Sequence, residues 1–436
     1  MHAGRMMSSS KLNHHSDNTI SKASVPNFML NDNKHNDKSD KNPNTIGSAG
    51  LVPSNIGEMD SSAKDSISNV GNNMDKDTNK TNYNIKSIQS TPSDYNTSSK
   101  PKFSAYITEI GRARNWSAES TLSAEPPPVL MLTTQEIEIM NKLDKKIFNV
   151  STPINIEKLK HLTKHHPNKA FVSYIIQGLR EGFRYNYRNQ RNENILQQNL
   201  PSIMLNPEAF QVSVQKELEL GRIAGPFEPA NIPVTSFRIN PCGLVPKRDK
   251  AEEFRVIHHH SAPKLLSVND GIQKDDFHTT YENVGHAAKW IRAFGQGCLL
   301  AKIDIQDAYR ILPVHPVDQT LQGFTCSGKV YFDKRLAFGN RASAGIFCRF
   351  ADLLAWIAID MGIPAVIHYV DDFLLIMPTT SIVVANKYLE TFKAMLVFLG
   401  IPFKESKLVG PVNELVFLGI SLNTKELTAS IPTQKK

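Results

Sequence analysis

Cysteine is scarce in this 436-residue chain: Cys242, Cys298, Cys326 and Cys348 are widely separated, and none forms a Cys-x-x-Cys pair. That pattern excludes a disulfide framework and a zinc knuckle, and it suits a reducing compartment. Long apolar runs are also missing. None approaches the length of a membrane span, and the polar start is not a secretory signal. An intracellular protein, cytoplasmic or nuclear, with no membrane partner is therefore expected. No internal repeat occurs. Nor is there a strong charge excess: the formal charge is +8 and the pI about 9.1, which suits a polyanionic partner but says little about fold. The run His258-His259-His260 invites a metal reading, yet successive side chains of a strand point to opposite faces. The three cannot all chelate one ion, so they are read as structural.

Composition divides the chain unevenly. About a third of the first hundred residues are Asn or Ser, with no sustained apolar run. Such a segment buries too little apolar surface to offset its chain entropy, so residues 1 to about 125 are expected to be a disordered tail. Pro126-Pro127-Pro128 closes it. Thr133-Thr134-Gln135-Glu136 ahead of Ile137 and Ile139 reads as a helix start, and residues 126–200 as a helical extension before the core. Lys158, Lys160, Lys164, Lys169, Arg180, Arg184, Arg188 and Arg191 crowd that extension, with Phe183, Tyr185 and Tyr187 among the last four. Two readings stand: a face that tracks phosphates and stacks bases, or a solvated helix face.

The informative feature is Tyr369-Val370-Asp371-Asp372, set between apolar Ile363–Ile367 and Phe373–Met377. The segment predicts two short buried strands joined by a tight turn that carries two carboxylates. Folding alone gives no reason to place like charges there, because they repel and resist burial. A divalent cation removes the objection, since it takes several oxygen ligands and cancels the charge. The plain alternative is that Asp simply suits turns. A second apolar run, Cys298–Ile303, also ends in a carboxylate, Asp304. Two such strands side by side would present their acids to a shared pair of metals, the arrangement used for in-line phosphoryl displacement. Asp304 and Asp371 are the expected shared ligands, with Asp372 a further ligand or a neighbouring charge. Asp307 is expected to cap the turn that follows.

The motifs resemble those of reverse transcriptases, in that family's order. Asp304 with Tyr309 is similar to the first palm motif, and Leu336-Ala337-Phe338-Gly339 through Phe347 to the second. Tyr369–Asp372 resembles the third, Phe398–Lys407 the fourth, and Val416-Phe417-Leu418-Gly419-Ile420 the primer grip. Gly178–Phe183, Gly221–Phe227, Arg255–Ser261 and Ser267-Val268-Asn269-Asp270-Gly271 are closest to elements of the DIRS type, which encode a tyrosine recombinase. The likeness covers about residues 155 to 430. It implies an α+β fold: a right-hand polymerase with an antiparallel palm sheet and fingers formed mainly by residues 201–290, the two together spanning 201–436.

The activity implied is RNA-directed DNA synthesis on a primer. Two Mg²⁺ ions would serve it, with Mn²⁺ as the alternative, and the partners would be an RNA or DNA template with its primer and deoxynucleoside triphosphates. The resemblance places Tyr309 beneath the incoming sugar, where its bulk would exclude a 2′-hydroxyl. Phe338 and Gly339 begin a small-residue segment that lets the backbone approach a base pair closely. Ala337 stands where the family usually has Pro, and Asn340 and Arg341 are unusually polar, so this turn is expected to be less rigid. Leu244–Lys247 and Phe254–Ile257 read as a hairpin whose Lys247 and Arg255 would clamp a triphosphate or, alternatively, guard an edge. Lys407 is the expected general acid toward pyrophosphate, with Lys404 contesting the role. Phe417, Leu418 and Gly419 would form the primer grip. Because the likeness runs nearly to Lys436, a fragment of a polyprotein or a decayed copy without thumb, RNase H or recombinase is expected. Three rivals follow: a palm that binds nucleic acid without extending primers, an RNA-dependent RNA polymerase, and an assembly role for the tail.

Overall fold

The structure, a computed structural model, describes residues 116–247 and 250–432, and the expected tail over residues 1–115 lies outside them. At the centre is a four-stranded antiparallel sheet in the order Val409–Val412, Leu299–Asp304, Asp372–Met377, Ala365–Tyr369. Its inner strands are almost wholly apolar because both faces are covered. Leu299, Ala301, Ile303, Phe373, Leu375 and Met377 share one hydrophobic cluster with the helices Arg341–Asp360 and Ile382–Leu399. The alternate residues Leu300, Leu374 and Ile376 share another with Trp290 of the helix Val284–Phe294 and with Phe417 and Leu422. The two-residue period of a strand thus distributes one continuous apolar run between two cores.

The helix Arg341–Asp360 corrects one expectation. By length and composition it is apolar enough to cross a membrane, but most of it is buried inside the fold as the core helix behind the sheet. A second, five-stranded sheet has the order Ile195–Leu196, Arg238–Ile239, Gly323–Cys326, Lys329–Asp333, Ile223–Phe227, with parallel pairing at its first two junctions. The expected hairpin is present as Cys242–Lys247 against Lys250–His258. A three-stranded meander of Glu414–Phe417, Ile420–Asn423 and Thr428–Ser430 completes the sheets.

The helical extension is woven into the core rather than set ahead of it. Thr133 caps the helix Thr134–Lys142 in a reciprocal capping box, with Glu136 N–H donating to its hydroxyl at 3.2 Å and Thr133 N–H donating to the Glu136 carboxylate at 3.1 Å. Leu159 of the helix Ile156–Leu162, and Phe171, Ile175 and Leu179 of the helix Lys169–Glu181, join the main cluster. A further helix, Trp116–Ser123, falls where the tail was expected to continue. Its Ala118 is fully buried in that same cluster, and the Thr121 hydroxyl meets the His166 ring at 2.8 Å. A short helix read from composition alone is invisible when its few apolar residues depend on distant partners.

The basic stretch is also resolved. Phe183, Tyr185 and Tyr187 are buried, so they stack no bases. The helix stops at Gly182, where φ is +89°, and the chain then bridges Val314 at Phe183 and Ile272 at Tyr187, with Asn186 left-handed between them. Alternation replaces the helical period: aromatics turn inward, while Arg184 and Arg188 turn toward carboxylates. Arg184 and Arg191 both pair with Glu136, at 2.7 and 2.9 Å, and with Asp318, at 2.9 and 2.6 Å. Lys160 and Arg180 reach Glu157 on the surface.

Candidate active site

The sheet register decides where the acids meet. Asp372 pairs with Asp304 across the central strands and with Tyr369 across the hairpin. That leaves a two-residue turn, Val370-Asp371, between Tyr369 and Asp372. Val370 adopts φ +55°, which a β-branched residue rarely does, so the turn carries strain that its surroundings hold in place. The backbone fixes Asp371 further, since Ile305 N–H donates to its carbonyl at 3.0 Å. Two strand ends far apart in sequence therefore converge, as the apolar runs predicted.

Three carboxylates and several lysines meet there. Asp304 is only 5 % exposed. Its two carboxylate oxygens accept from Lys404 Nζ at 2.9 Å and Lys407 Nζ at 2.8 Å. Burial, followed by the neighbouring charges of Asp304 and Asp372, pushes the Asp371 carboxyl above its ordinary pKa. Burial also raises Asp372, where Lys302 opposes the shift and Asp304 adds to it. Lys407 is raised, first by its hydrogen bond to Asp304. Among the described residues no group of three or more His, Cys, Asp or Glu side chains closes into a ready-made metal cage. The donor chemistry nonetheless fits a hard divalent cation. The oxygens are anionic and mutually repelling, and two ammonium groups have already been drawn in as counter-charges.

Tyr309 follows on the 3₁₀ turn Ala308–Ile311, half-buried, with its ring 4.8 Å from Phe338 and 5.6 Å from Phe347. Phe338 is 51 % exposed, so the pair forms a wall open to solvent beside the acids. Gly339 has φ +98°, and a Cβ there would strike the His258 carbonyl; only glycine fits. The turn into the long helix is not loosened by its polar residues. Asn340 caps that helix by accepting from Ala342 N–H at 2.9 Å. Asn269 accepts from Arg341 N–H at 2.8 Å and donates to the Gly339 carbonyl at 2.9 Å, while the Arg341 side chain reaches the Ile272 carbonyl at 2.8 Å. Polarity ties the turn down because Asn340 Oδ1, the Asn269 side chain and Arg341 all find partners.

Asp307 does not cap. It sits at φ +55° with no side-chain cap bond, and its carboxylate pairs with Arg222 at 2.9 Å. A left-handed residue turns its side chain away from the amides it would cap. Next to Tyr309, Arg310 joins Glu217 at 2.7 Å and Asp333 at 2.6 Å, locking the turn onto the helix Pro207–Glu219 and the second sheet. Sequence reading missed this clamp and the Asn269 brace. It also missed the exposed ring of Tyr281, 5.3 Å from that of Tyr369. Only Asn269 had a signal, its place in Ser267–Gly271.

Lys247 and Arg255 are on the hairpin. Lys247 pairs with Glu253 at 2.6 Å, and exposed Arg255 lies opposite Val245. The hairpin base meets the site where His258 N–H donates to the Phe338 carbonyl at 3.3 Å. His258 is half-buried and His260 buried, and desolvation lowers both pKa values to about 3, which makes them neutral structural rings. Phe417 is fully buried, and Leu418 and Gly419 form a two-residue turn with φ +49° and +83°.

Residues 238–422 match the family model described as reverse transcriptase (RNA-dependent DNA polymerase). Those 185 of the 436 residues are thus similar to a reverse transcriptase domain. Every candidate residue named above for metal, substrate or primer lies inside it. No curated protein matches the chain. Among solved structures, the chain is similar to the foamy viral protease–reverse transcriptase dRH in complex with double-stranded DNA, at 20 % identity and TM-score 0.44, covering 71 % of this chain and 50 % of that one. The native prototype foamy virus protease–reverse transcriptase gives 18 % identity and TM-score 0.43, covering 71 % and 38 %. The same values hold for the foamy viral enzyme in complex with an RNA/DNA hybrid. The chain thus spans half or less of each of these three solved chains.

Proposed function

We propose that this chain is a reverse transcriptase that adds deoxynucleotides to a primer 3′-end by two-metal phosphoryl transfer, and that it derives from a retrotransposon of the DIRS type. The observation that carries the reading is the register of the central sheet, which brings Asp304 and Asp372 into opposite positions with Asp371 in the adjoining turn. In this reading the central sheet is the palm, and residues 201–290 supply most of the fingers. Asp304 and Asp371, with Asp372 beside them, would hold Mg²⁺ or Mn²⁺. Bound ions supply charge neutralisation at the attacking and leaving oxygens.

The chain's own residues do the rest. The Tyr309–Phe338 wall supports the incoming sugar and leaves no room for a 2′-hydroxyl. Lys407, whose pKa is raised, keeps its proton until a leaving oxygen can take it. Lys247 and Arg255 reach the triphosphate from the hairpin, and the Leu418-Gly419 turn bears on the primer. Template and primer are held through their phosphates, so binding weakens steeply as salt rises.

Primer extension on RNA and DNA templates with Mg²⁺ tests the reading. The parent should extend and Asp371→Asn should not; equal extension by both ends the carboxylate assignment. Duplex binding without extension by the parent would instead favour the rival in which this domain only binds nucleic acid. In the same assay Tyr309→Ala should raise ribonucleotide incorporation, and an unchanged sugar preference removes Tyr309 from the selector role.

A further inference from the structure

Both oxygens of Asp304 are taken, one by each of two lysines on the same short segment. The backbone places this pairing. Lys404 N–H donates to the Asp304 carbonyl at 3.0 Å, Gln306 N–H donates to the Pro402 carbonyl at 2.9 Å, and Ile305 bridges Phe403. Residues 402–404 are therefore zippered to the strand end that carries the acid, and Lys404 and Lys407 approach its carboxylate from that platform. The rest of each lysine is free to leave. Their side chains are 35 % and 53 % exposed, while that of Asp304 is 7 % exposed.

We propose that Lys404 and Lys407 are built-in counter-ions that compete with divalent cations for Asp304, so that cation binding releases Lys407 to act on substrate. This inference rests on the metal reading above and adds a regulation to it. A cation taking an Asp304 oxygen competes with the ammonium groups already at 2.8–2.9 Å from that carboxylate, because positive charges crowded onto one carboxylate repel. While Lys407 holds Asp304 it cannot also donate a proton to a leaving oxygen. Cation occupancy and availability of the acid therefore rise together. Charge argues the same way: Asp304, Asp371 and Asp372 are already offset by Lys302, Lys404 and Lys407, so adding a dication leaves excess positive charge unless an ammonium group swings out.

The test is Mn²⁺ binding to the full chain without nucleic acid or nucleotide, read by electron paramagnetic resonance of the free ion. Lys404→Met and Lys407→Met should each tighten Mn²⁺ binding, by about fivefold for a partly exposed charge pair. Lys404→Arg and Lys407→Arg, which keep the competing charge, should bind as the parent does. Single Gln variants carry the same expectation if a Met variant folds poorly. Parent-like or weaker affinity in the charge-removing variants, with Asp371→Asn still reducing binding, overturns this inference alone. Binding that is absent throughout, or indifferent to Asp371→Asn, overturns the metal reading and this inference together.

Discussion

Removing the Arg310 guanidinium should destabilise the protein more than any exposed charge change and should loosen the selector tyrosine beside it. The group makes four contacts: Glu217 Oε2 at 3.1 Å and 2.7 Å, Asp333 Oδ2 at 2.6 Å, and the Leu336 carbonyl at 3.3 Å. Asp333 is 0 % exposed, so Arg310→Ala leaves its carboxylate in the interior without its main counter-charge. Breaking a buried pair in this way costs about 3–5 kcal/mol. Glu217 keeps more contact with water, its side chain being 26 % exposed, and adds little. Against a total stability of about 5–15 kcal/mol, the variant should remain folded but by a narrow margin. Urea unfolding followed by circular dichroism in a chelating buffer would show the loss as a lower midpoint with an unchanged slope. The pair term comes from a cycle with Asp333→Asn, in which the double variant should recover part of the cost because no charge is then stranded. A loss below about 1 kcal/mol, or strictly additive single variants, would refute the claim that this pair anchors the turn.

Two further outcomes follow from the site. Asn269→Ala removes the acceptor of Arg341 N–H and the donor to the Gly339 carbonyl, so it should cost about 1–3 kcal/mol in urea unfolding. A smaller loss would mean that water replaces the brace. The second concerns pH. Asp371 has a raised folded pKa, so its contribution to stability is fully present below the unfolded carboxyl value near ~3.9 and is lost as pH rises through the folded value. In chelator, Asp371→Asn should match the parent near about pH 4 and melt higher than it near about pH 7. A melting difference that is flat with pH would contradict that assignment.

The carboxylate pair, the hairpins and the Thr133 capping box were legible because each is written in adjacent residues: apolar runs, turn formers and a cap at fixed spacing. The central sheet was legible in part, since Leu299–Ile303 and Phe373–Met377 are too apolar to lie anywhere but inside. What escaped was set by partners distant in sequence. The clamp on Arg310 needs Glu217 and Asp333, separated from it by 93 and 23 positions. Asp307 was assigned a local cap, but its left-handed backbone and the reach of Arg222 decided otherwise. Phe183, Tyr185 and Tyr187 read as stacking groups only while their burial against the core was out of sight. The helix Trp116–Ser123 was lost in polar composition because its worth lies in Ala118 and Thr121 against the core.

Because Asp304 and Asp372 face each other across a ladder that also aligns Ile303 with Phe373, Lys302 with Leu374 and Ala301 with Leu375, the greasy interior acts as the ruler for the chemistry. A slip of one position would send every side chain of a strand to the opposite face and scatter the acids with them. Insertions or deletions inside either strand should therefore abolish the site even when every acid is kept. Drift among the interior residues is tolerable only where it preserves that alignment.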